Sequence, residues 1–145
     1  MTIDELKQFC EEELNNINRI IGELETVYTP EKTGYTLAEQ AGIAAFVINI
    51  YGGIEKILKQ ILLYDKLDVK DAPEWHEKVL RKSAEIGIVP PDLSKVLSNY
   101  LAFRNFFIYS YMFNIKWDDI KALVDAVKGV ADTFGKEVHE YIQTI

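Results

Sequence analysis

Apolar residues return along this chain at steps of three and four, and no stretch alternates apolar with polar in the period of two that a strand requires. The first series is Ile3, Leu6, Phe9, Cys10, Leu14, Ile17, Ile20, Ile21, Leu24 and Val27. It follows Thr2 and Glu5, whose spacing is that of a capping box, so an amphipathic helix is predicted from the amino end to about Val27. Thr36 and Glu39 repeat the signal. They open a second series, Leu37, Ala41, Ala44, Ile48, Ile54, Leu58, Ile61 and Leu62, read as one helix to about Lys66 and about 45 Å long at 1.5 Å per residue. A shorter helix is predicted from about Pro73 to Ala84, with Asp71 or Ala72 as its cap and Gly87 beyond its end.

The four prolines, Pro30, Pro73, Pro90 and Pro91, fall between these periodic segments, where a missing N–H does least damage. After the last pair comes a helix carrying Leu93, Val96, Leu97, Tyr100, Phe103 and Phe107, expected to fray near Tyr111 to Asn114. The final helix starts near Trp117, with Asp118 and Asp119 favoured by its amino-terminal dipole, and continues through Ile120, Leu123, Val127, Val130, Phe134, Val138 and Ile142. An all-α antiparallel bundle of four long helices and one short one follows, as a single domain over residues 1–145.

Composition narrows the class. With 48% hydrophobic residues, 27% charged and 12 glycines and prolines together in 145 residues, the chain can bury a core, and disorder is excluded. The longest run without a formal charge, Gln40 to Ile54, falls short of the roughly 20 residues that cross a bilayer, so no spanning helix is expected. The acidic amino end does not read as a secretion signal, and the single cysteine, Cys10, leaves no internal disulfide. A cytoplasmic location is the expectation.

A net charge of −7 argues against a general nucleic-acid coat, yet the charge is uneven. Residues 1–25 hold seven acids and two bases, whereas residues 56–104 hold nine bases and seven acids. Any anion-binding surface should use the middle of the chain.

Several positions break the helical pattern. Gly52 and Gly53 inside the second helix each cost about 1 kcal/mol relative to alanine, which implies close helix packing or backbone access for a nucleotide or partner helix. Arg104 lies seven residues after Leu97 and four after Tyr100 on one face, where a permanent guanidinium needs an acceptor. That acceptor is either a bundle carboxylate such as Glu55 or a phosphate. Around it the run from Tyr100 to Tyr111 is too aromatic for an exposed loop, and Tyr100, Phe107 and Tyr111, on the arginine's face, are expected in the core or a dimer contact. Glu11, Glu12 and Glu13 read as a solvated face, and Cys10 beside Phe9 as core. His76 and His139 have no ligand at a recognised metal spacing, so no metal site is expected, and no Ser-His-Asp arrangement can be assembled.

With these elements placed, Arg104-Asn105-Phe106-Phe107-Ile108-Tyr109-Ser110-Tyr111 resembles the signature of the HEPN superfamily in its HepT-like toxins. Their pattern is arginine, a polar residue, three mostly apolar positions, histidine, any residue and tyrosine. Arg104, Asn105 and Tyr111 match, and Tyr109 stands at the histidine. Tyr51-Gly52-Gly53-Ile54-Glu55-Lys56-Ile57 resembles a Tyr-x-Gly-Leu-Glu-Arg-Ile helix of one HepT-like subgroup. Trp75-His76 resembles its Trp-His start to a short helix, and Phe113 and Trp117 fall at its Phe-x-Leu-x-Trp positions.

The resemblance implies a metal-independent endoribonuclease without a cofactor, working as a homodimer with both motif helices at one RNA cleft. Arg104, Asn105 and Tyr109 are then the catalytic candidates, with Tyr51 and Glu55 as candidate cleft-lining residues. It also implies a minimal nucleotidyltransferase antitoxin as partner, able to transfer AMP to Tyr111. Tyrosine as a residue type titrates near pH 10 and is a poor base at neutral pH. Five residues of ideal helix also turn by about 140°, so positions 104 and 109 converge only if the helix distorts or a second protomer contributes. A catalytically degenerate bundle that binds a nucleotidyltransferase or a nucleotide is the alternative, and a helical bundle of unrelated role a third. If only the base has been lost, restoring histidine at 109 should raise cleavage by about 10²–10⁴-fold.

Overall fold

The computed structural model describes residues 1–67 and 74–145. Among them are five α-helices, α1 (Ile3–Glu25), α2 (Leu37–Tyr64), α3 (Trp75–Glu85), α4 (Pro91–Tyr109) and α5 (Trp117–Gln143), with one 3-10 turn at Met112–Asn114 and no strand.

Both predicted capping boxes form. Glu5 N–H donates to Thr2 Oγ1 at 3.1 Å and Thr2 N–H to Glu5 Oε1 at 3.2 Å; the corresponding bonds of Thr36 and Glu39 measure 3.1 and 2.8 Å. Each pair satisfies two backbone donors that a helix start otherwise leaves open. At the other end, α2 stops at Tyr64, two residues before the expected limit. Lys66 turns to φ 60°, its N–H reaching Leu63 O at 3.0 Å while Leu67 N–H reaches Leu62 O at 2.9 Å, which caps the helix in the manner usually left to glycine. Gly87, at φ 84°, closes α3 in the same way. The expected caps of α3, Asp71 and Ala72, and its expected start at Pro73 lie outside the described residues.

Helix directions can be read from side-chain pairs. Gln60 meets Met1, the backbone of Gly53 meets Ile17, and Tyr28 stacks on Tyr35, so α1 and α2 are antiparallel. Tyr35 also packs on Trp117, and Tyr141 donates to Asp65 at 2.9 Å, so α5 runs parallel to α2. The Tyr100 hydroxyl donates to Leu123 O at 2.8 Å, and Leu93 lies opposite Val130, which sets α4 antiparallel to α5. Chain neighbours among the four long helices thus alternate in direction, and α2 and α5, of like direction, touch across the centre.

Packed against α1, α3, α4 and α5, helix α2 is buried on more than the single stripe predicted for it, with Ile43, Val47, Ile50, Tyr51 and Ile57 inside as well as Ala44, Ile54, Leu58, Ile61 and Leu62. Its predicted first apolar position, Leu37, is exposed instead. The exclusion of a membrane-length helix also needs correction. An 18-residue window of α2 has mean hydropathy 1.4 and at most two charges, enough by length and composition to cross a bilayer. More than half of that window (56%) is buried within the bundle, which is where a helix apolar on all sides belongs.

Candidate functional site

Helix α4 places Arg104 opposite the glycine pair of α2. The guanidinium is half-buried and donates from Nη1 to Asn105 Oδ1 at 3.0 Å. Among the described residues no carboxylate lies within ion-pair distance of it. The carboxylate expected as its structural partner, Glu55, is engaged elsewhere: its Oε1 sits 2.7 Å from Nδ1 of His76, at the start of α3. Asn105 in turn donates from Nδ2 to Glu77 Oε1 at 3.4 Å, tying α4 to the first turn of α3.

Arg104 opens into a cleft of about 300 Å³ between α1, α2 and α4, where Glu13, Asn16, Asn49, Gly52 and Lys56 complete the polar wall. Glu13, expected on a solvated face, is therefore half-buried at this cleft. The two glycines divide their work. A Cβ on Gly53 would stand 2.7 Å from Ile17 Cγ1, so that glycine exists for helix contact; a Cβ on Gly52 would meet nothing within 4 Å, and its backbone faces the cleft. Close helix packing therefore accounts for Gly53, while Gly52 leaves its backbone open to the cleft.

Behind the arginine, Tyr51 and Glu55 occupy successive turns of α2 and are buried. The Tyr51 hydroxyl and Glu55 Oε2 have no hydrogen-bond partner among the described residues. Burial, and then the neighbouring Glu55 carboxylate, push the Tyr51 phenol far above its ordinary value, with Arg104 opposing. Gly52 and Lys56, the chain neighbours of Tyr51 and Glu55, line the cleft into which Arg104 opens, so Tyr51, Glu55 and Arg104 share one neighbourhood.

Tyr109 is elsewhere. Helix α4 remains regular through it, so no distortion brings 109 back to 104, and the side chain is 88% exposed. The chain then leaves the helix at Ser110, which is extended, and enters the 3-10 turn. Tyr111 stacks on Phe113 with ring centroids 5.3 Å apart and planes 7° apart, and both are more than two-thirds exposed. Within the aromatic run, where core or a dimer contact is expected, Tyr100 is core and Phe107 half-buried, whereas Tyr111, with Phe106 and Ile108, is exposed on the single chain. The helix ends there, so nothing further along α4 can cover it.

Residues 42–145, from the second turn of α2 to the end of α5, match the model of a family described as HepT-like protein. The chain belongs to the HepT-like family. No curated protein and no solved structure matches it. The matched span of this HepT-like chain contains Tyr51, Glu55, Arg104, Asn105, Tyr109 and Tyr111, whereas Glu13 and Asn16 of the cleft come from α1, outside it.

Sequence reasoning weighed His76 only as a metal ligand and did not consider Glu77, Asn49 or Lys56. The Trp-His pair was the available signal for His76. Its pairing with Glu55 spans 21 residues and two helices, which periodicity along one helix does not encode. Among the described residues no three His, Cys, Asp or Glu side chains cluster closely enough to hold a metal.

Proposed function

We propose that this HepT-like protein is a metal-independent endoribonuclease of the HEPN type, the toxin of a toxin–antitoxin pair. The carrying observation is Arg104: a half-buried cation that opens into a cleft beside Lys56 and has no carboxylate partner among the described residues, while the nearest motif acid is held by a histidine. A fixed guanidinium so placed suits a phosphodiester, whose charge rises during attack by a ribose 2′-hydroxyl. Asn105 would orient the guanidinium through the bond it already accepts.

Two partners belong to this reading. A second copy would cover Phe106, Ile108, Tyr109, Tyr111 and Phe113. A minimal nucleotidyltransferase antitoxin would find the exposed Tyr111 side chain open to AMP transfer. A cytoplasmic location accords with both.

The deciding experiment is RNA cleavage by chelator-treated protein. Cutting should occur and should fall by about 10²–10³-fold in Arg104→Ala, as for removal of a preorganised group stabilising developing charge. The exposure of Tyr109, remote from Arg104 on its own helix, favours the second reading, a degenerate bundle that binds a nucleotidyltransferase or a nucleotide. Absence of cleavage, together with stable binding of a nucleotidyltransferase encoded beside it, would establish that alternative.

A further inference from the structure

The pairing of His76 with Glu55 has the geometry of an oriented acid–base group. Nδ1 faces the Glu55 carboxylate at 2.7 Å, a contact that, in the neutral ring, selects the tautomer with its proton on Nδ1 and its lone pair on Nε2. Nε2 has no hydrogen-bond partner among the described residues. The plane of the ring is fixed as well, because the Trp75 indole stacks on it with centroids 3.7 Å apart, and Lys59 lies 4.2 Å from the Trp75 centroid. The His76 side chain is 15% exposed, so it is held without being sealed off.

Its neighbours tie it to the cation. Glu77, the next residue, accepts from Asn105, which accepts from Arg104. Glu55 carries a second oxygen, and Tyr51 a hydroxyl, that are buried without partners beside this assembly. Buried polar atoms left without partners are costly, and these two are on the carboxylate that holds the imidazole and on the tyrosine one turn before it.

We propose that His76, positioned by Glu55, is the catalytic acid–base residue of RNA cleavage, supplying the group that Tyr109 does not. The proposal rests on the endoribonuclease reading and replaces one residue in it. Neutral Nε2 takes the proton of the ribose 2′-hydroxyl, and the 2′ oxygen forms a bond to phosphorus. The bond from phosphorus to the 5′ oxygen breaks, and the imidazolium returns its proton to that departing oxygen. The products are a 2′,3′-cyclic phosphate and a 5′-hydroxyl end, with no water, metal or redox partner consumed. Arg104 faces the phosphoryl oxygens throughout. Among the described residues, Glu55 contacts the imidazole, Lys59 lies over the Trp75 ring stacked on it, and Glu77 beside it links through Asn105 to Arg104.

The test uses full-length, chelator-treated protein and an end-labelled RNA oligonucleotide. His76→Gln should lower cleavage by about 10²–10⁴-fold, whereas His139→Gln, at the only other histidine, should leave it unchanged. His76→Gly should regain activity when free imidazole is added. Glu55, as a positioning residue, should reveal itself by a displaced acidic limb of the pH–rate profile in Glu55→Gln, with partial recovery in Glu55→Asp. A ¹⁵N-imidazole spectrum of the wild type adds a reading independent of turnover: uridine 3′-monophosphate should shift the His76 Nε2 signal and not that of His139. Wild-type cleavage that survives in a folded His76→Gln protein, or an Nε2 signal indifferent to the nucleotide, overturns the assignment and leaves the endoribonuclease reading standing. Wild-type protein that cuts no RNA overturns both.

Discussion

Gly53 and Ile17 meet so closely that a Cβ added to the glycine would stand 2.7 Å from Ile17 Cγ1 and 3.1 Å from its Cδ1. The first of these atoms is fixed to the β-branched carbon of a side chain with little rotamer freedom in a helix, so it cannot step aside. Gly53→Ala should therefore destabilise the protein by about 1–3 kcal/mol, through separation of α1 from α2. Gly52→Ala, with nothing within 4 Å of the new Cβ, should instead stabilise it by up to about 1 kcal/mol. Urea denaturation of the two variants should give midpoints on opposite sides of the parent's. A Gly53→Ala protein as stable as the parent would show that the contact relaxes freely.

Tyr109→His is expected to change RNA cleavage by less than about tenfold, because the side chain at 109 is 88% exposed and lies about 140° around α4 from Arg104. This revises the larger gain expected from the motif alone. A rise of 10²–10⁴-fold would mean that a second protomer carries position 109 into the cleft, and the same preparation should then show that gain vanish on dilution to monomer.

Stability should decline from about pH 9 upward. Burial pushes the Cys10 thiol from 9.0 up to about 11 and the Tyr100 phenol from 10.0 up to about 12. Both groups are held in their neutral forms, so the stability linked to each is fully present below its ordinary value. It is lost as the pH rises through the folded value. Urea midpoints measured at steps between pH 8 and 12 should fall in two stages, and Cys10→Ala should remove the earlier one. A flat profile to pH 11 would show that these groups ionise without unfolding.

Light scattering at micromolar concentration should give twice the 16.7 kDa chain mass, since the exposed Phe106, Ile108, Tyr111 and Phe113 make a compact apolar surface at one end of α4. Tyr111→Asp with Phe113→Ser should return the protein to monomer without loss of helix content. A parent that scatters as a 16.7 kDa particle excludes the dimer.

The periodic pattern of the sequence carried the helices and most of their ends. Thr2 with Glu5, Thr36 with Glu39 and Gly87 act through bonds to residues a few positions away, and such local chemistry is written in order along the chain. What sequence left open was lateral. Arg104 was recognisable as a cation needing an acceptor, but α3 brings His76 onto Glu55 while Arg104 bonds Asn105, a matter of which helices are neighbours. Which side Tyr111 takes, core or surface, was open for a related reason. A helical face is defined only while the helix lasts, and α4 ends at Tyr109.

The central place of α2 also bears on how the protein is made. This helix is apolar enough to resemble a membrane span, yet α4 and α5, which cover much of it, are synthesised afterwards. At about 5–20 residues per second, the rest of the chain takes on the order of 4–16 s to appear. During that interval α1, already complete, is the one helix of the bundle at hand to shield α2, and the tight fit of Ile17 against Gly53 joins the two before any other partner arrives. The earliest helix is thus a guard for the nascent chain: weakening its seat should raise capture of the unfinished protein by chaperones even where the finished bundle still folds.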